Sequence, residues 1–156
     1  MPYSLSDLNL HLNELRSLQA PFLKLSNIGK SIGGLNIPIV KVTSVGDTVK
    51  PVIMIMGRQH SGETHSSFII HGLINFLVSR DRKAIELRNY FEWWILPIVN
   101  PDGVVIGNYR TNLQGKDMNR HFFQETERGE DGLKQEKCSE VELIRDYMKE
   151  HLKNKR

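Results

Sequence analysis

The sequence predicts an α/β domain of three layers, α/β/α, with helices on both faces of a mixed, mostly parallel sheet. Two apolar runs carry this reading. Val52–Met56 (VIMIM) and Phe91–Val99 (FEWWILPIV) lack the in-and-out alternation of a sheet with one wet face, and such runs mark strands covered on both sides. Between them, Ile69, Leu73, Phe76 and Leu77 recur at helical spacing, so strand, loop, helix and strand follow one another as they do in parallel α/β sheets.

Taken in order, Leu5, Leu8, Leu12 and Leu15 fall on one face of a helix from about Ser4 to Leu18, and Pro21 closes it. Leu35 to Thr43 is rich in β-branched residues and reads as a strand whose Pro38 favours an edge position. Val52–Met56 reads as a strand buried on both faces. A helix from about Thr64 to Ser79 follows, with Thr64 or Ser66 as its cap. Arg82 to Arg88 predicts a short helix, and Phe91–Val99 a strand ending at the turn Asn100-Pro101-Asp102-Gly103. Periodicity disappears between Gly107 and Asp131, where a long loop of the functional kind is expected. Ser139 to Glu142 has the pattern of a capping box, and Val141, Ile144 and Met148 continue it as an amphipathic helix. Residues 1–156 are expected to form a single, partial domain.

Composition narrows the function classes. The chain of 156 residues is 39% hydrophobic and 25% charged, with a net charge of +3, a globular mixture. Its longest apolar run falls far short of the ~18 residues of a membrane helix, so no membrane role is expected. The start lacks the basic and apolar regions of a secretory signal, and the single Cys138 fits a reducing compartment; a cytoplasmic protein is expected. Much of the positive excess sits at Lys149, Lys153, Lys155 and Arg156. No basic face interleaved with stacking aromatics is present, so no nucleic-acid partner is expected.

The chemistry concentrates in Arg58-Gln59-His60-Ser61-Gly62-Glu63-Thr64, just past the carboxyl end of a predicted strand, where open α/β sheets place their ligand sites. His60 and Glu63 can face one metal ion if the backbone turns sharply between them, and Gly62 permits that turn. Together they offer a neutral nitrogen and an anionic oxygen. Zinc takes both at about 2 Å, and a catalytic zinc takes three protein ligands and a water. On its own, a His-x-x-Glu pair also fits an ordinary polar loop.

More of the chain bears on the choice. His60-Ser61-Gly62-Glu63-Thr64, Asn100-Pro101-Asp102-Gly103, Gly107-Asn108-Tyr109-Arg110 and Asp117-Met118-Asn119-Arg120 occur in that order. With them, the stretch from Val52 to Arg120 resembles the zinc metallocarboxypeptidase family, and within it the cytosolic group that trims glutamates from protein tails. Pro2-Tyr3-Ser4 with Asp7-Leu8, and Gly29 to Gly34, resemble the opening of that family's catalytic domain. The resemblance covers nearly the whole chain but only the front half of such a domain. It implies a sheet of the zinc carboxypeptidase type, Zn2+ held by His60 and Glu63, and Arg110 stabilising the oxyanion of the attacked peptide carbonyl. It also implies that Asn119 and Arg120 hold the substrate's terminal carboxylate. The implied substrates are C-terminal residues of peptides or proteins, glutamates of tubulin-like acidic tails among them, with a cytoskeletal association.

His65, His71, His121 and His151 are expected in surface, packing or cleft-wall roles, Trp93 and Trp94 in the sheet, and Cys138 inert. Two departures stand out. Ser61 occupies the family's usual proline position, which should loosen the loop. The histidine that supplies the third zinc ligand and the general-base glutamate are expected further along than Arg156. Three explanations stay open: a truncated or split gene, a second chain that completes the domain, or a non-catalytic structural or interaction module that keeps the fold.

Overall fold

The computed structural model describes residues 2–46, 48–122 and 137–153. Helix α1 (Leu5–Ser17) opens with a capping box: the Asp7 amide donates to the Ser4 hydroxyl at 3.2 Å and the Ser4 amide to the Asp7 carboxylate at 2.7 Å. Two donors left open at a helix start are thereby satisfied. The helix buries Leu8, Leu12 and Leu15, the predicted stripe.

A strand the sequence reading did not include, β1 (Leu23–Lys30), comes next and pairs antiparallel with β2 (Asn36–Val42). Then follow β3 (Val52–Met56), α2 (Thr64–Val78), α3 (Arg82–Tyr90), β4 (Glu92–Leu96), the short α4 (Pro101–Ile106), a 3-10 turn (Met118–Arg120) and α5 (Ser139–Leu152). The sheet order is β1-β2-β4-β3. It is mixed: β3 and β4 run parallel across the α2–α3 crossover, whereas the β1·β2 and β2·β4 pairings are antiparallel. The hairpin β1–β2 is what tips the balance of directions among the described residues away from parallel.

Helices cover both faces. On one, Val40, Val42, Trp93 and Ile95 meet Leu8, Leu12 and Leu15 of α1 and Ile70, Ile74 and Leu77 of α2. On the other, Ile37, Ile39, Trp94 and Leu96 pack on Val141 and Ile144 of α5 and on Met118. The strand runs lack polar alternation because odd and even positions enter two different cores, which is the physical content of the three-layer prediction.

Local expectations are corrected at several points. Pro38 does not mark an edge: β2 lies inside the sheet. Pro38 is tolerated because it pairs with Asn27, where β1 slips register before Gly29, and it lies outside the β4 ladder, which runs from Val40 to Val42. A missing amide costs little at a bulge. β3 is half-buried rather than buried, since it pairs on the β4 side alone among the described residues. α2 buries Ser67, Ile70, Ile74 and Leu77, leaving Ile69 67% and Phe76 37% exposed. This helix is apolar around most of its circumference, so spacing alone did not fix its inward face.

The caps differ as well. Neither Thr64 nor Ser66 caps α2, whose N-cap is Glu63. The Thr64 hydroxyl accepts from the Tyr3 amide at 2.7 Å, and the Ser66 hydroxyl donates to the Glu63 carbonyl at 2.8 Å. Asn100-Pro101-Asp102-Gly103 is not a free turn but the start of α4, with the Asn100 side chain accepting from the Gly103 amide at 3.0 Å and Pro101 in the first turn. The capping box at Ser139 is absent. Cys138 takes the N-cap position without a side-chain bond, and Glu142 pairs with Arg145 at 3.2 Å instead. Of the long loop from Gly107, the described part is irregular up to the 3-10 turn; its remainder, 123–131, lies outside the described residues.

Candidate metal and carboxylate site

Three loops converge beyond the carboxyl ends of β3 and β4. The first carries His60 and Glu63; the second runs from α4 to Asn112; the third is the 3-10 turn. Asn100, fully buried, ties the first two by donating to the carbonyls of Gln59 at 3.2 Å and Thr111 at 3.1 Å. The Ser61 hydroxyl donates to the Asn108 carbonyl, and the Gly62 amide to the Tyr109 carbonyl at 2.7 Å. Ser61 thus adds a cross-loop bond that a proline could not make. Below them, the Asp102 carboxylate, 2% exposed, accepts from the Ser31 hydroxyl at 2.7 Å and the Gly33 amide at 2.8 Å.

Gly62 serves a different purpose from the sharp turn expected of it. It is not among the residues with left-handed φ. A Cβ there would stand 2.9 Å from the Tyr109 carbonyl oxygen, so glycine is required by the close approach of the second loop. The left-handed residue of this segment is Arg58, with φ 54°.

The sequence reading singled out His60, Glu63, Arg110, Asn119 and Arg120, and the structure joins the first three through a residue it gave no role, Asp117. His60 is buried. Its Nε2 lies 2.8 Å from Asp117 Oδ1, and its Nδ1 lies 3.1 Å from Glu63 Oε1. The other Asp117 oxygen accepts from Arg110 Nε at 2.7 Å. Burial alone would raise the Asp117 carboxyl; the hydrogen bonds from His60, Arg110 and the Asn119 amide outweigh it and hold it at about 2. Asn119 and Arg120 lie within the 3-10 turn, with exposed side chains. Asp117 was visible only as the first letter of a motif, because its partner His60 is 57 residues away in sequence.

The chemistry of this donor set suits a cation. An ionised Asp117 only accepts, so Nε2 of His60 donates to it. Nδ1 lies against the Glu63 carboxylate, a contact that a proton on Nδ1 or a bound cation joins. An imidazole nitrogen with a carboxylate oxygen is a pair zinc accepts. The carboxylate behind the imidazole is the arrangement that fixes ring orientation in metal-binding histidines. Among the described residues no three His, Cys, Asp or Glu side chains converge; a catalytic zinc held by His60 and Glu63 would need one further protein ligand.

Of the other histidines, only His121 touches this set, through the Asp117 backbone, among the described contacts. His65 is exposed; Tyr3 hydroxyl and His71 Nδ1 lie 2.9 Å apart; His121 Nδ1 lies 2.8 Å from the Asp117 carbonyl; His151 stacks on Tyr147. Trp93 and Trp94 are in the sheet core, and Cys138 is buried beside Asn112 and Glu140.

Comparisons with known proteins agree with the geometry. The profile described as zinc carboxypeptidase matches residues 9–146. Cytosolic carboxypeptidase 6 of Caenorhabditis elegans is 37% identical over 123 residues, 77% of this chain and 27% of the relative. Cytosolic carboxypeptidase 2 of Homo sapiens is 34% identical over 128 residues, 78% of this chain and 14% of the relative. A metallo-carboxypeptidase from Burkholderia cenocepacia superposes with a TM-score of 0.81 at 27% identity, covering 96% of this chain and 38% of that one. The chain thus spans well under half the length of the relatives it matches. With a matching profile over most of its residues, relatives above 30% identity and the same fold in solved carboxypeptidases, the chain belongs to the zinc carboxypeptidase family.

Proposed function

We propose that this chain contributes the first two zinc ligands, His60 and Glu63, and the carboxylate-binding residues of a metallocarboxypeptidase that hydrolyses C-terminal peptide bonds. The observation that carries the proposal is Nδ1 of His60 facing the Glu63 carboxylate at 3.1 Å while Asp117 holds the opposite ring nitrogen. Zinc bound there would polarise the scissile carbonyl and acidify a water. Arg110 would meet the oxyanion with a guanidinium already oriented by Asp117, and Asn119 and Arg120 would receive the free terminal carboxylate. A solved relative from Pseudomonas aeruginosa, 28% identical, is described in complex with (2-guanidinoethylmercapto)succinic acid, a dicarboxylate, which supports carboxylate recognition in this family.

The substrate class we assign is glutamate-rich protein tails such as those of tubulin, in the cytosol and near the cytoskeleton. Support comes from relatives named cytosolic carboxypeptidases and from the chain's positive charge of +3. No described helix is long and apolar enough to cross a membrane. We read residues 1–156 as one part of a catalytic domain in which a further ligand and a general base would complete the site. The second reading, a non-catalytic interaction module, draws on the absence of a third converging ligand among the described residues.

The two readings separate in a peptide-release assay. The chain alone is expected to release nothing from a peptide ending in glutamates. Supplied with a segment carrying the missing histidine and glutamate, it is expected to release C-terminal glutamate in a chelator-sensitive way. Continued silence with that segment bound supports the module; chelator-sensitive release by the chain alone would contradict the need for further ligands.

A further inference from the structure

Arg58 is the one left-handed non-glycine residue in the loops of the site, and its guanidinium is buried, with the residue 4% exposed. Buried charges ordinarily meet a carboxylate. The hydrogen bonds of this one go to neutral oxygens instead. Its Nε donates to the Ser61 carbonyl at 2.9 Å, and its Nη1 to the Tyr3 carbonyl at 2.9 Å and the Ser67 hydroxyl at 3.0 Å. Its backbone amide donates to the Ser66 hydroxyl, which donates in turn to the Glu63 carbonyl.

These partners have one thing in common. Ser61 follows His60 directly; Ser66 and Ser67 form the first turn of α2, which Glu63 caps; Tyr3 is the residue whose amide is held by Thr64 in that same turn. A single planar cation therefore joins the loop between the two proposed ligands to the helix start and to the amino-terminal segment. A non-glycine residue in the left-handed region costs on the order of 1 kcal/mol, and a desolvated charge costs more. Simple loop closure demands neither. A fork of fixed geometry that sets the relative positions of His60 and Glu63 does, because a lysine in the same place offers one compact donor group and cannot span both directions.

We propose that Arg58 is a positioning residue of the metal site: its guanidinium fork sets the separation of His60 Nδ1 and Glu63 Oε1 and thereby the affinity for zinc. This rests on the functional reading above, but it has a readout that does not require zinc. In the metal-free protein, the fork holds the turn between the two ligands, in which the Glu63 amide donates to the His60 carbonyl at 3.0 Å.

The test uses the wild-type chain, Arg58→Lys and Arg58→Ala. Chelator competition measures zinc affinity, thermal melting measures folding, and hydrogen exchange of the Glu63 amide reports the order of the turn. For Arg58→Lys we expect a folded protein whose zinc affinity falls ~10-fold or more, as when other supports of metal ligands are lost, and whose Glu63 amide exchanges ~10-fold faster or more. If Arg58→Ala fails to fold, Arg58→Lys alone decides. Unchanged or tighter zinc binding in a folded Arg58→Lys overturns the proposal, since the charge rather than the fork would then be what the site feels. Should the wild type bind no zinc, the functional reading fails, and exchange of the Glu63 amide in Arg58→Lys still decides: faster exchange upholds the positioning role, and unaltered exchange overturns it.

Discussion

Asp117 sits between two positive or proton-bearing partners, Nε2 of His60 at 2.8 Å and the Arg110 guanidinium at 2.7 Å, and this gives it an effect on stability as well as on the site. Its carboxyl is held at about 2, below its ordinary 3.8. A group whose pKa is lower in the folded state adds stability above its unfolded pKa and loses it as pH falls. The contribution is therefore complete above about pH 4 and fades from there toward about pH 2. Urea midpoints of wild type and Asp117→Asn should differ at pH 6 and converge by pH 2; a gap that does not change with pH would contradict this. The same substitution deprives the His60 ring of its anionic partner, so zinc affinity should fall ~10- to 100-fold, measured by chelator competition.

At the scale of elements, the site depends on how closely the loop after α4 lies on the loop after β3. Gly62→Ala would drive a Cβ to 2.9 Å from the Tyr109 carbonyl and should cost roughly 1–3 kcal/mol in a urea melt. Gly72, in the exposed middle of α2, has nothing within 4 Å of a built Cβ. Gly72→Ala should therefore raise stability by about 0.5–1 kcal/mol. Opposite signs from two identical substitutions would separate close approach from helix propensity. How far such elements were legible depends on how local their causes are. The α1 stripe and the β4 run announce themselves through spacing and apolarity. β1, with Lys24, Ser26 and Asn27 in its middle, does not: it is an exposed edge strand stabilised by its partner β2. The inward face of α2 and the place of Pro38 are likewise set by packing and by a bulge in another strand, which no single segment encodes.

For the molecule as a whole, the fold brings together residues from 31 to 120 around one point, and the sequence reading recognised most of them as motifs. His60 and Glu63 stand out in the sequence because they share one short loop within a run of ordered motifs; a His-x-x-Glu pair alone would not single them out. Asp117 and Arg58 do not stand out, because what they do is defined by contacts with residues far along the chain or by burial of a charge. In an assembly active on peptides, Arg120→Ala should raise KM for a free C-terminal carboxylate at least 10-fold and erase the preference over a C-terminal amide, the mark of a lost bidentate contact. An equal effect on both substrates would contradict that role. The central claim, however, concerns the chain itself: His60 and Glu63 together hold a metal. Its most direct measure is a zinc titration of the purified chain followed by calorimetry, beside His60→Ala and Glu63→Gln. One zinc per chain, bound weakly and lost in both variants, is the predicted result; no binding by the wild type, or binding that both variants retain, would contradict it.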